Sequence, residues 1–350
     1  MKRSRNRDGQ SKSVDLIALA ECVEKFSTKT VVLLGDFVAD EFQFGDISRV
    51  SREAPVLILR HRETKLVPGG GANAANNFAA LGARVRPVSA VGDDGEGAGL
   101  IAYFRAKKID TSGIVRVKNW KTPTKARFLA GWAHTVGQQV LRVDYEPNQS
   151  LPSLAQAKLQ NVLNAKLRGA DALAISDYGF GAASPELVRA AKTKRKVLTT
   201  LDARYHLGAY AKAGIDSATP NEGELEAQHH AQIGQDIKEL ERCGRETLGS
   251  MRMGALLVTR GRDGMALFEN SGAVTHIPIH GSNQAVDVTG AGDTVLAAYT
   301  LALASGASPL ESAHIANIAG GLVVMKRGTA TVSRHELLDT IRREASGGSA

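Results

Sequence analysis

Cysteine is nearly absent from this chain. Cys22 and Cys243 are the two among 350 residues, far apart and outside any CxxC pair. That argues against a disulfide framework and a cysteine-built zinc site. No HExxH occurs, and the adjacent His229 and His230 fall in a polar helical stretch, where they read as a solvated pair. No apolar run approaches the ~18 residues of a membrane span. The basic N-terminus is not followed by the apolar core of a signal peptide, so a cytoplasmic protein is the expectation. Two nucleotide fingerprints are also missing: there is no GxxxxGK[ST], and no GxGxxG followed by an acid at Rossmann spacing. A bound nucleotide has to be held by other means. No internal repeat recurs at a fixed period.

What is present starts with charge. The formal net charge is +8, and the tail "MKRSRNRDGQSK" contributes +4 of it through five basic residues and one acid. A nucleic-acid binder wants its basic face on the folded body. This pattern reads as a solvated tail, with residues 1–27 forming the tail and a lead-in helix. Residues 341–350, ending "ASGGSA", read as a second flexible tail. Neither nucleic acid nor a membrane is an expected partner. The length suits one large domain, ample for a core.

"TVVLLGDFVAD" (30–40) reads as a buried strand running into a loop with two acids, in which Asp40 has the look of a turn residue. "GGGANAANNFAALGA" (69–83) is a glycine turn leading into a small-residue helix. "TKARFLAGW" and "QQVLRVDYE" flank the polar turn "AHTVG" as a hairpin. Beyond residue 150, "DALAIS", "KVLTTLD" and "GALLVT" read as strands between helical runs. One of these helices is capped by Ser184 with Pro185 at its first position. "SPLE" (308–311) and "SRHE" (333–336) fit the capping box. The expected fold is α/β: a doubly wound, mostly parallel sheet with helices on both faces and a β-rich insertion. Ligands of such folds sit beyond the carboxyl ends of the strands. Asp36, Asp177, Asp202, Asn221 and Thr259 each follow a predicted strand there.

The stretch "DVTGAGDTVLAAY" (287–299) carries the chemistry. A helix N-terminus offers unpaired N–H groups, and glycines let an anion approach them. On one reading Asp293 simply caps the helix. On the other, Asp293 accepts a proton from a hydroxyl attacking phosphorus, while the amides of Gly290, Ala291 and Gly292 hold the developing charge.

"DVTGAGD" resembles the C-terminal signature of the ribokinase-like (PfkB) carbohydrate kinases, and "GGGANAANNFAALGA" resembles their N-terminal signature. The resemblance covers about residues 28–340. Finer matches, among them "GDFVADEFQFGDISRVSREAPV", "SDYGFG", "TPNEGELE" and "GGLVVMKRGTATVS", resemble one branch. That branch phosphorylates D-glycero-D-manno-heptose 7-phosphate at C1, supplying ADP-heptose for bacterial lipopolysaccharide. In many relatives this kinase part is joined to an adenylyltransferase. Two loops depart from the branch, at three positions: Phe180 stands where it carries a lysine, and Ala203-Arg204 replaces its Pro-Lys.

The resemblance implies a ribokinase-like domain with a β-lid from about 41–60 and 119–146, ATP and Mg²⁺ as cofactors, and a homodimer through the lid. It implies that Asp36 grips sugar hydroxyls and that Gly69, Gly70 and Asn73 approach the sugar. Lys125, Arg127 and Arg142 would meet the sugar's own phosphate from the lid. Asn221 and Glu224 would organise magnesium, Asn221 through water, although the same spacing also fits a capping box. Thr259, Arg260, Gly261 and Gly264 would frame the nucleotide phosphates. Asn317 would border the adenine pocket or pack its helix. Asp287 would orient the loop or neighbour a monovalent cation.

Overall fold

The structure, a computed structural model, describes residues 14–131, 138–194, 196–281 and 285–347. The basic tail at 1–12 and the turn at 133–137 lie outside the described residues. In chain order the strands are β1 (Thr30–Gly35), β2 (Phe37–Val50), β3 (Leu57–Gly70), β4 (Arg84–Gly92), β5 (Ile114–Val117), β6 (Thr124–Gly131) and β7 (Gln138–Tyr145). They continue as β8 (Ala172–Asp177), β9 (Leu198–Ala203), β10 (Ser217–Ala218), β11 (Ala255–Thr259), β12 (Met265–Glu269) and β13 (Val274–Ile277). The helices are α1 (Leu16–Glu24), α2 (Gly71–Ala80), α3 (Gly95–Ala106), α4 (Ser153–Lys166) and α5 (Pro185–Lys192). After them come α6 (Glu222–His229), α7 (Ile237–Met251), α8 (Ala291–Ala304), α9 (Pro309–Val323) and α10 (Arg334–Ala345).

The main sheet runs β13-β12-β11-β10-β9-β8-β1-β4-β5. Its pairings are parallel except where β12 joins β11 and β13 joins β12. Strand β1 is buried along its whole length, and its alternate residues feed opposite faces. Val31 and Leu33 enter one core, with residues of α1, α2, α3, α8, α9 and α10. Val32 and Leu34 enter the other, with residues of α4, α5, α6 and α7. This two-sided burial is why the strand reads as an unbroken apolar run. The strand order reverses at β1, so the crevice beyond the ends of β1 and β8 is the topological switch point.

The capping signals sit where the sequence placed them. Ser184 accepts from Leu187 N, and Ser308–Glu311 and Ser333–Glu336 are complete capping boxes. One terminus differs. Helix α10 continues to Ala345 with Ile341 buried, so no tail begins at 341. Asp40 lies within β2 and is not a turn residue. Helix α3, hidden in the sequence by three glycines, is capped by Asp94. Among the described residues no helix is long and apolar enough to cross a membrane.

The lid is a second sheet of order β3-β2-β6-β7. It reaches further than residues 41–60, because β2 starts at Phe37, two residues past β1, and β3 runs into α2. The lid is therefore rooted directly in the switch point.

Candidate active site

Helix α8 begins at Ala291 with Gly290 as its cap, at φ 78°, and without a side-chain cap bond. A Cβ on Gly290 would lie 2.5 Å from Asn73 Nδ2, so both backbone and space require glycine. Asp293 does not cap this helix. Asn73 Nδ2 donates to its Oδ2 at 2.7 Å, and the Tyr178 hydroxyl donates to its Oδ1 at 3.4 Å. Burial is the main cause that lifts its carboxyl to about 7, opposed by the Asn73 bond and supported by the Asp40 charge. Fewer amides stand open at this helix mouth than the sequence led one to expect. The Ala291 N–H turns back to Val288 O, whereas those of Gly290 and Gly292 have no main-chain partner among the described residues.

The Asn73 amide is aimed at Asp293. Asn77 Nδ2 donates to Asn73 O at 3.0 Å and Oδ1 at 3.3 Å, and Thr294 Oγ1 donates to Asn77 Oδ1 at 2.8 Å. This chain fixes which way the Asn73 amide points. Asp36 departs from its expected role more sharply. It is 1% exposed. Its oxygens accept the N–H groups of Tyr178 and Phe180, both at 2.9 Å, Ala182 at 2.7 Å and Ala183 at 3.3 Å. With four donors already seated it cannot grip a sugar. The other acid of this segment, Asp40, is paired at 2.7 Å with Arg127. Gly69 lies against it: a Cβ there would come within 2.7 Å of the Asp40 carboxyl. Gly70, at φ 54°, forms the turn into α2.

The lid cations differ in availability. Arg127 is tied to Asp40, and exposed Arg142 is tied through two bonds to Asp144. Lys125 Nζ has no hydrogen-bond or ion-pair partner among the described residues and stands 5.6 Å from the Tyr178 ring. Burial, then the Arg204 charge, lowers its pKa.

A cavity of about 260 Å³ opens at the mouth of α8, lined by Tyr178, Asp202, Arg204, Glu224, Gly292 and Asp293 among others. Burial and the Glu224 and Asp293 charges push the Asp202 carboxyl well up. Burial lifts Glu224 to about 6, against its bonds to Asn221 and the Arg204 charge. Asn221 and Glu224 form the capping box of α6, which engages Oε2 of Glu224. Among the described residues no group of three or more His, Cys, Asp or Glu is arranged to hold a metal by itself. The sequence marked Asp202 by its place after a strand and Arg204 as a departure without giving either a role, and it passed over Tyr178. Their signal was position, each at or beyond the end of a strand.

Beside it lies a more apolar cavity of about 350 Å³, lined by Thr259, Gly261, Gly264, Val288, Val295 and Asn317 among others. Gly264 has φ 79°, and a Cβ on it would meet Ile277 O at 2.1 Å. Asn317 Nδ2 donates to Pro278 O at 2.8 Å, which holds the cavity wall. Arg260 does not frame this space: its buried guanidinium faces Glu222 at 3.4 Å. Asp287 orients the loop, accepting from Thr289 N and Gly328 N, both at 2.9 Å.

The fold is shared with phosphofructokinase-2 from Escherichia coli in complex with potassium. The TM-score is 0.73 at 20% identity, over 91% of this chain and 99% of that one. Arabidopsis thaliana ribokinase complexed with ribose and ATP gives 0.69 at 20% identity, over 90% and 98%. In sequence, the bifunctional protein HldE of Geobacter sulfurreducens is 36% identical over 323 residues, which is 91% of this chain. The chain spans 64% of that relative's length. The profile of the pfkB family carbohydrate kinases matches residues 29–336, from the first strand of the switch point through the glycine turn to the last helix. By that match the chain belongs to the pfkB family of carbohydrate kinases.

Proposed function

We propose that this chain transfers the γ-phosphoryl group of ATP to the C1 hydroxyl of D-glycero-D-manno-heptose 7-phosphate. The observation that carries the reading is Asp293, a buried carboxyl lifted to about 7 at a helix mouth with free glycine amides. A general base works best when its pKa lies near the working pH. The identity with HldE and the branch-specific motifs support the heptose phosphate as acceptor.

MgATP lies with its base in the apolar cavity and its phosphates in the acidic one. The sugar lies under the lid, against the Asp40–Arg127 pair. Asp293 takes the C1 hydroxyl proton as that oxygen bonds to the γ-phosphorus and the bond to the ADP oxygen breaks. The Gly290 and Gly292 amides meet the charge on the transferring group. The base contributes ~10²–10⁴-fold and each amide donor ~10²–10³-fold. Lys125 and Arg204 flank the Tyr178 ring and supply cations along the phosphate path.

The donor set suits a magnesium-bound polyphosphate, because Asp202 and Glu224, both raised chiefly by burial, stand together in one cavity as hard oxygen donors. Glu224, and Asn221 through water, would hold the ion, which neutralises phosphate oxygens when bound. A monovalent cation beside the 287–289 turn belongs to the same reading. The two departures from the branch fit it as well. Phe180 packs against the second core, away from the phosphates, and Arg204 keeps a cation in the acidic cavity. Homodimerisation through the lid is supported by its exposed Val50, Val56, Leu57, Val140 and Leu141. Both substrates point to work in the cytoplasm.

ADP release with MgATP tests the reading on heptose 7-phosphate beside free sugars, other sugar phosphates and nucleosides. Turnover confined to the heptose phosphate is expected. Turnover only on another acceptor refutes the substrate, and silence on all refutes the kinase. Light scattering after gel filtration checks the dimer, which a monomer at micromolar concentration overturns.

A further inference from the structure

Asp36 has no place in the mechanism above, yet it is among the most fully engaged residues of the site. Its carboxylate seats the amides of residues 178, 180, 182 and 183. Its own N–H donates to Ser176 O at 3.0 Å, at the end of β8. Its carbonyl accepts from Gly71 N at 2.9 Å, the first residue of α2. One residue thus joins the loop carrying Tyr178 to the helix carrying Asn73. Those two side chains are the hydrogen-bond partners of Asp293.

The loop needs such an anchor. Gly179 and Gly181 both have positive φ, at 81° and 91°, so its path has little stiffness of its own. Asp177 secures only the near end, accepting from Gly179 N at 2.8 Å and from the Tyr210 hydroxyl at 2.7 Å. The phenol of Tyr178 is kept protonated by burial and by the charges of Asp293 and Asp202. It is therefore a donor, and its donation favours the ionised, proton-accepting form of Asp293.

We propose that Asp36 and Tyr178 act as a positioning pair for Asp293: Asp36 clamps the 178–183 loop and so holds the Tyr178 hydroxyl against the base. The inference rests on the kinase reading for its catalytic half and on the loop geometry alone for its other half. At 3.4 Å the Tyr178 bond is long, and such bonds tighten when substrate closes a site. Its loss is expected to lower kcat about 10-fold, in the range for a hydrogen bond to a charged group.

The test uses Asp36→Asn, Tyr178→Phe and the double variant, with hydrogen exchange beside steady-state kinetics. In Asp36→Asn, whichever way the amide turns, two loop N–H groups face an NH₂. Exchange at Tyr178, Phe180, Ala182 and Ala183 should then speed up at least about 10-fold. Both single variants should lose kcat about 10-fold while the sugar KM stays within about 2-fold. The double variant should lose little more than the worse single, since both act through one contact. A raised sugar KM in Asp36→Asn with unchanged loop exchange would restore Asp36 as a sugar ligand and overturn the proposal. Losses that multiply in the double variant overturn the pairing. Where Asp36→Asn unfolds, Tyr178→Phe with unchanged kcat is itself enough to overturn it. An inactive wild type refutes the kinase reading instead, and loop exchange in Asp36→Asn still decides whether the clamp exists.

Discussion

Asp293→Asn separates what the site does from what it costs. Asparagine fits the same space, can accept the Asn73 N–H on its oxygen and can offer its NH₂ to the Tyr178 oxygen, so both contacts survive with Tyr178 turned from donor to acceptor. It cannot take a proton, and kcat should fall by ~10²–10⁴. Stability should move the other way. Burial raises this carboxyl from 3.8 to about 7. A raised carboxyl binds its proton more tightly in the folded state, so the native chain loses stability as pH climbs from 3.8 and has lost it all above about 7. That rise corresponds to about 4 kcal/mol at most. The variant should therefore exceed wild type by up to about 4 kcal/mol at pH 8 and by about 2 kcal/mol at pH 5.5, converging near pH 4. Urea unfolding without nucleotide at these pH values, beside ADP release, measures both halves. Equal stability at pH 8 would show that the ionised carboxylate is not under strain, and kcat within tenfold of wild type would remove Asp293 as the base.

Three further outcomes are expected. The kcat/KM of wild type should show an acid limb near pH 7, since Asp293 must be ionised to act, and a flat profile from pH 5 to 8 would contradict that. Arg127→Ala leaves Asp40 buried and unpaired, so it should destabilise by about 3–5 kcal/mol and raise the sugar KM more than the ATP KM, as denaturation and kinetics would report. Gly264→Ala forces a Cβ to 2.1 Å from Ile277 O at positive φ and should cost at least about 1–3 kcal/mol with a raised ATP KM; an unchanged midpoint would mean that the turn relaxes freely.

The sequence disclosed those features whose signal is local. An unbroken apolar run marks β1, serine–glutamate spacing marks the starts of α9 and α10, and Gly290 before an apolar run marks the start of α8. It failed where partners are distant in the chain. Asp36 and Asp40 look alike as acids after a strand, and only their distant partners tell them apart, a loop 142 residues away for Asp36 and Arg127 for Asp40. Arg260 follows a strand like a phosphate ligand, but Glu222 at the start of α6 faces its guanidinium. Tyr178 was passed over because an aromatic after a strand resembles any packing residue. Helix α3 was masked by its glycines, of which Gly97 serves close contact: a Cβ on it would lie 2.5 Å from Gly92 O.

The pairing of β2 with β3 grades the stiffness of the lid along its length. From Phe37 opposite Gly70 to Phe44 opposite Glu63 the register is unbroken, and the irregularities fall between Phe44 and Gly45 and between Ile47 and Arg49. Bulges are where a ribbon bends and twists. The lower half, bearing Asp40 and Phe42, is thus as firm as the body it grows from. The upper half, bearing Val50, Val56 and Leu57, is the compliant end. On the proposed function, the residues that face the sugar and the exposed apolar tip stand on opposite sides of two kinks in one ribbon, so a change at the tip need not retune the grip below it.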